Sequence, residues 1–258
     1  MANLFRVDGQ IAVVIGGAGG IGEALGNGLA EYGAKVVIAD LDQQRADDVA
    51  QDIRTKFKSS DATAFKFDIT DEKSVAALRD QVVAKFGTVD ILVNSQGVNV
   101  KKNGTEFPVS DWDFMFNVNV RGTMLTCREF GKVMVERKKG KVINLSSVRG
   151  VRATFWPGNE GYSATKAAID MITRSLASEW AQHKINVNAI GPSTVATRFS
   201  EKTLQDPERL KRFLASCPLG RVGQPVDIVG ACVFLASPAS DFITGQIIYL
   251  DGGLTAIG

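Results

Sequence analysis

A tyrosine four residues ahead of a lysine, Tyr162-Ser163-Ala164-Thr165-Lys166, is the pairing in this sequence best suited to proton chemistry. On a helix, positions i and i+4 share a face. The lysine ammonium would sit beside the phenol, stabilise its phenolate and lower a pKa that starts at about 10. Such a tyrosine takes a proton from an alcohol or gives one to a carbonyl. The other two tyrosines, Tyr32 and Tyr249, have no lysine at that spacing. Alone, the pattern is shared by many exposed helix pairs, so it needs partners. Ser146-Ser147 offers hydroxyls at the end of an apolar run upstream. The one histidine, His183, leaves no material for a Ser–His–Asp triad or a multi-histidine metal site, and reads as a surface residue at a helix end.

A second constellation opens the chain. Gly16-Gly17-Ala18-Gly19-Gly20-Ile21-Gly22 follows the apolar run Ala12–Ile15 and precedes a helical stretch. Glycine serves where the backbone needs positive φ or close approach to a pyrophosphate. The helix start behind it offers unpaired N–H groups and a positive dipole end to phosphate. Both GxGxxG (Gly17, Gly19, Gly22) and GxxxGxG (Gly16, Gly20, Gly22) fit the run. Asp40 closes the second apolar run, 18 residues beyond Gly22. A carboxylate there accepts hydrogen bonds from both hydroxyls of an adenosine ribose. It would repel a 2′-phosphate, and Ala18, Gly19 and Leu41 supply no base to attract one. The cofactor implied is NAD.

These residues need a scaffold that brings strand ends together, and the pattern supplies one. Short apolar runs at 12–15, 36–39, 64–67, 89–93, 141–145, 185–190 and 246–250 alternate with helical stretches at 20–32, 42–57, 71–86, 110–138, 162–182 and about 225–236. Fully apolar strands alternating with helices predict a parallel sheet covered on both faces. Seven without a compositional break predict one Rossmann-type, doubly wound α/β domain over residues 1–258. The least regular stretch, about 193–224, with Pro207 and Pro218 around a charged helix, is expected to be a lid over the site. With 45% hydrophobic and 22% charged residues the composition is that of a globular protein. A formal net charge of +2 gives no electrostatic case for nucleic acid or a membrane surface. Cys127, Cys217 and Cys232 form no CxxC pair, and read as buried thiols in a reducing compartment. No apolar stretch spans a bilayer and the N-terminus lacks a signal-peptide pattern, so the expected location is the cytoplasm.

Taken in order, these motifs resemble the short-chain dehydrogenase/reductase family over essentially the whole chain. The glycines match that family's GxxxGxG as Gly16, Gly20 and Gly22, with Ile21 between them. The resemblance implies a catalytic tetrad of Asn119, Ser147, Tyr162 and Lys166. In it Ser147 polarises the substrate oxygen, Tyr162 is the acid/base, Lys166 modulates it and binds the nicotinamide ribose, and Asn119 holds a relay water. It further implies that Asp40 and Leu41 border the adenosine ribose, and Asp68 and Ile69 the adenine. Asn94 and Gly97 would line the cleft, and Pro192, Val195 and Thr197 the nicotinamide. Ile15, Ser95, Gln96 and Ser193 depart from the family's usual residues without touching the tetrad. The family commonly forms homotetramers through its two long helices and its C-terminal strand.

Residues 148–161 should border the substrate. They carry Arg149 and Arg152, with Trp156 among them, and Lys101 and Lys102 follow the fourth strand. Arginine is suited to bidentate anion recognition. The expected substrate is therefore a small molecule: a sugar, a sugar acid or a related polyhydroxylated anion, as in gluconate-type dehydrogenases. A 3-ketoacyl carrier-protein reductase shares fold and tetrad but usually prefers NADP, which Asp40 disfavours. An enoyl reductase would separate tyrosine and lysine by six residues, and Ile169 stands at that place. A non-catalytic NAD-binding subunit typically loses the tyrosine or the lysine, and both are here.

Overall fold

All five residues of the first strand, Ile11–Ile15, are buried, yet they serve two different layers. Ala12 and Val14 pack into one apolar cluster, and Ile11, Val13 and Ile15 into another. A strand buried on both faces must lie inside a sheet covered by helices on each side. The computed structural model, which describes residues 3–57, 61–154 and 156–257, has that architecture. Its parallel strands are β1 (Ile11–Ile15), β2 (Lys35–Asp40), β3 (Ala62–Lys66), β4 (Ile91–Asn94), β5 (Gly140–Leu145), β6 (Ile185–Pro192) and β7 (Ile247–Leu250), in the order β3-β2-β1-β4-β5-β6-β7.

The helices are α1 (Gly20–Glu31), α2 (Gln43–Lys56), α3 (Glu72–Phe86), α4 (Val109–Met115), α5 (Gly122–Arg137), α6 (Glu160–Trp180), α7 (Glu201–Leu204), α8 (Pro207–Ser216) and α9 (Val226–Ala236). Leu25 and Leu29 of α1, Ile53 of α2 and Leu235 of α9 fill one layer. Leu78 of α3, Phe130 and Met134 of α5 and Ala177 of α6 fill the other. The three cysteines are buried and free, and burial pushes Cys127 and Cys232 up to about 12. Among the described residues no helix is long and apolar enough to cross a membrane.

The chain leaves β1 toward β2 on one side and returns as β4 on the other, so strand order reverses beside β1. Ligands of open α/β sheets bind outside the carboxyl ends of the strands at such a switch point. The predicted elements stand within a few residues of the observed ones, with two differences. The helix expected over 110–138 is continuous but changes type: Phe116–Arg121 forms a π-helical segment between α4 and α5. Such one-turn insertions rotate the side chains that follow and recur at functional sites. The stretch at 193–224, expected to hold one charged helix, folds into two, α7 and α8. Val195 bridges Gly223 in parallel pairing, so both ends of this excursion are pinned at one point.

Candidate active site

The glycine turn settles its own register. Gly16 takes φ +68°, and a Cβ there would come within 2.8 Å of the Gln96 backbone. A Cβ on Gly22 would overlap the Gly16 carbonyl oxygen, and one on Gly20 would stand 2.9 Å from Thr197 Cγ2. On Gly19 it would meet only the Gly16 carbonyl, at 3.4 Å. A Cβ on Gly17 would stand 2.8 Å from the Val14 carbonyl oxygen, so Gly19 alone among these glycines has room for one. Every glycine of GxxxGxG (Gly16, Gly20, Gly22) is tightly required, whereas GxGxxG includes the permissive Gly19. Gly19 caps α1 with no side-chain hydrogen bond, which leaves the first N–H groups of that helix for an outside acceptor. Close by, Ser95 Oγ and Gln96 Oε1 are buried without a hydrogen-bond partner. A cradle of free backbone donors and unpaired polar atoms fits a dinucleotide.

Asp40 ends β2 and points into this cradle. Its Oδ2 accepts from Ala18 N at 3.0 Å and its Oδ1 from Asp42 N at 3.2 Å. A residue that sequence reading missed joins it. Arg45, on the first turn of α2, donates from Nε (3.2 Å) and Nη2 (3.0 Å) to the Ala18 carbonyl. It also lies 3.7 Å from Glu23. Inspecting positions 18, 19 and 41 for a base could not find it, because the capped turn at Asp42 folds Arg45 back over the glycine loop. Leu41 is exposed and Ile21 partly buried. Asp68 Oδ1 accepts from the Thr70 N–H and hydroxyl, which hold its carboxyl below the usual range. Ile69 lies against Gly122.

Asn94 was expected to line the cleft, but its side chain turns into the protein. Its Nδ2 donates to Asn144 Oδ1 (2.9 Å), and its Oδ1 accepts from Thr126 Oγ1 (2.8 Å). It braces β4 against β5 and α5, leaving only backbone atoms to face the cleft. Gly97 does face it: a Cβ there would sit 3.7 Å from Lys166 Nζ and 3.8 Å from Asn119 Oδ1.

The four tetrad positions converge from three elements. Asn119, fully buried in the π-helical segment, donates to Val98 O (2.9 Å) and Thr165 Oγ1 (3.1 Å), and accepts from Val98 N (2.8 Å). It ties the loop after β4 to α6. Ser147 follows β5, where its Oγ donates to Pro192 O (3.3 Å) and accepts from Arg149 N (3.2 Å). Tyr162 stands in the first turn of α6, its ring 6.1 Å from that of Phe199. Lys166, one turn on, is buried with its Nζ 5.6 Å from the Tyr162 ring centroid.

The electrostatics correct one expectation. Burial pushes the Tyr162 phenol up to about 12, against the pull of the Ser147 hydroxyl and the Arg149 charge. Burial also lowers Lys166 to about 8, with the carboxylate of Asp170 opposing. The depressed tyrosine expected from the i, i+4 spacing is not found in the protein by itself. Lys166 sends its ammonium to the Leu145 carbonyl at 2.6 Å, and loss of solvent outweighs its attraction for a phenolate.

With this arrangement in view, the chain can be compared with known proteins. A family model described as Enoyl-(Acyl carrier protein) reductase matches residues 16–255. The 5-keto-D-gluconate 5-reductase of Escherichia coli (strain K12) is 34% identical over 256 residues, 98% of each chain. The chain belongs to the short-chain dehydrogenase/reductase family. As a member of it, the protein is an oxidoreductase acting on CH–OH groups. Among solved structures of this family, a putative gluconate dehydrogenase from Agrobacterium tumefaciens superposes with TM-score 0.95 at 34% identity over 99% of each chain. A gluconate 5-dehydrogenase from Burkholderia cenocepacia J2315, in complex with NADP and tartrate, gives 0.94 at 34% identity, again over 99% of each chain. The four-residue spacing of Tyr162 and Lys166 sets this member apart from the enoyl-reductase spacing.

The region expected to border the substrate divides. Arg149 Nη1 donates to Ala153 O (2.8 Å) and Arg152 O (3.4 Å), and Arg152 Nη1 donates to the Leu254 carbonyl. Both guanidinium groups thus brace backbone, Arg149 that of its own loop and Arg152 that of the C-terminal segment. Trp156 is half-buried beneath α8, and Phe155 lies outside the described residues.

Proposed function

We propose that this protein interconverts a secondary alcohol and a ketone on a sugar acid, using NAD, with Tyr162 as the proton donor and acceptor. The observation that carries the reading is the gathering of Ser147, at the carboxyl end of β5, with Tyr162 and buried Lys166, whose Nζ lies 5.6 Å from the Tyr162 ring centroid. In reduction, Ser147 holds the carbonyl oxygen and Tyr162 Oη protonates it as the carbon accepts a hydride. In oxidation, Tyr162 takes the hydroxyl proton as the hydride leaves. Gly16, Gly20, Ile21 and Gly22 would hold the nicotinamide cofactor, which would supply or accept that hydride. Asp40 and Leu41 would border its adenosine ribose, Asp68 and Ile69 its adenine, and Gly97, Pro192, Val195 and Thr197 its nicotinamide end. Lys166 supports Tyr162 with positive charge, and Asn119 fixes the wall facing it. The pinned excursion at 193–224 acts as the lid.

The Asp40 carboxylate supports NAD, since a 2′-phosphate would meet it at the cradle's edge. Arg45 tempers that preference by setting a cation on the same loop. The decisive experiment is a turnover screen of sugar acids, polyols and hydroxy acids with NAD+ and NADP+. Sugar acids should give the highest kcat/KM with NAD+. Asp40→Ala should shift the NADP+/NAD+ ratio of kcat/KM upward by about tenfold or more, the worth of one like-charge contact removed. A wild-type preference for NADP+ would sink the cofactor assignment.

A further inference from the structure

The lid brings two cations that the sequence reading did not consider. Arg209 and Arg212 of α8 flank Trp156, their Cζ atoms 5.1 and 5.0 Å from a ring centroid of the indole. A guanidinium resting on an aromatic face keeps its in-plane N–H donors free for a partner. Lys101, in the loop after β4, donates to Thr203 Oγ1 of α7 at 2.9 Å. Its pKa lies below the ordinary lysine value, through burial and then the neighbouring charges of Arg209 and Arg149. Arg149 in turn is close enough to act on Tyr162.

A row of positive charge therefore runs from the acid/base out to the lid: Arg149, Lys101, Arg209, Arg212. Among the described residues, the one ion pair this row makes is Arg209 Nε with Asp206, at 3.1 Å. Gathering like charges without counter-charges is unfavourable, and an anion placed among them relieves the cost. Arg149 and Arg152, the two arginines expected from the sequence to meet the anion, each have a donor engaged by a backbone carbonyl.

We propose that Lys101, Arg209 and Arg212 form the anion-recognition edge of the substrate site, with Trp156 the platform that fixes the two guanidinium groups. They bind the carboxylate of a hydroxy acid whose carbinol meets Ser147 and Tyr162. Substrate charge is thus selected by the lid rather than by the floor of the site. The proposal rests on the sugar-acid reading above, and the test separates the two.

The experiment compares NAD-coupled oxidation of a six-carbon aldonic acid and of the matching neutral hexitol. Wild type, Arg209→Ala/Arg212→Ala and Arg209→Lys/Arg212→Lys are assayed at low and high salt, with circular dichroism as the check on folding. The double alanine variant should lower the acid-to-hexitol ratio of kcat/KM by about ten- to a hundredfold, the worth of one or two charge-assisted hydrogen bonds. The loss should fall mainly on KM. The lysine pair, which keeps charge but not the fork, should recover part of it and serves if the alanine variant folds poorly. Salt should reduce the wild-type ratio. If wild type prefers the acid and both variants keep that preference, the lid assignment is overturned while the sugar-acid reading stands. Turnover of the hexitol alone, or of neither compound, overturns both.

Discussion

A phenol held at about 12 and an ammonium lowered to about 8 leave Tyr162 protonated and Lys166 mostly cationic at neutral pH. The protein by itself is thus set for donating a proton, the role needed in carbonyl reduction. Oxidation needs the phenolate, so its rate should climb about tenfold per pH unit through the neutral range. As pH passes about 8, Lys166 loses its charge and the phenolate loses its support. The climb should therefore flatten near that pH, while reduction stays level at neutral pH. In Lys166→Met the bend should disappear and kcat should fall throughout, as a pH–rate profile would record. A profile that merely scales down, bend intact, would assign the bend to another group. Tyr162→Phe should lower kcat by about 10²- to 10⁴-fold with little change in melting temperature, since the hydroxyl alone is removed. Full activity in that variant would end the acid/base assignment.

At the scale of elements, the β1–α1 turn is the part that tolerates least. Gly22→Ala would drive a methyl group into the Gly16 carbonyl oxygen, whereas Gly19→Ala meets that oxygen at 3.4 Å, ordinary contact. Gly22→Ala should cost about 1–3 kcal/mol of stability, the usual price of overpacking, and weaken NAD binding. Gly19→Ala should leave the melt nearly unchanged, and equal loss in thermal melts of both variants would contradict this geometry. Legibility in the sequence followed the same line between local and distant determinants. The inner strands could be read because both of their faces are buried, which makes each an apolar run such as Val36–Ala39. Tyr162 and Lys166 could be read because four residues on one helix fix their own neighbourhood. The π-helical segment could not, since one extra residue per turn hardly disturbs the apolar pattern of 110–138. Arg45 stands 27 positions after Ala18, and Arg209 stands 53 after Trp156; only folding makes those pairs neighbours. Nor could the raised phenol be read, because spacing reports the nearest charge and says nothing of lost solvent.

For the whole molecule, one patch of exposed apolar side chains lies on the helices that follow β4 and β5. Phe114 and Met124 on the α4–α5 helix and Met171 on α6 are 40–57% exposed. Phe116, Val120, Met124 and Ile172 line a shallow groove between the helices. On the sheet's far edge, every residue of β7 is half-exposed, and a strand edge with unpaired backbone groups invites pairing. Two separate surfaces of this kind suit assembly about perpendicular two-fold axes, which generates a tetramer from one chain. We expect a homotetramer in solution, with α4–α5 and α6 forming one interface and the β7 side the other. Because a two-fold axis sets each patch against its own copy, Met124→Glu/Met171→Glu would bring like charges together in a desolvated contact. That variant should run as a dimer in light scattering, retaining the β7 contact. Retention of the wild-type mass would move the interface elsewhere. The consequence reaches the active site, because α6 carries Tyr162 and Lys166 on the turns that precede Met171. Packing one α6 against another would hold that helix from behind, so the dimeric variant should also lose kcat while its far-UV circular dichroism stays that of the wild type.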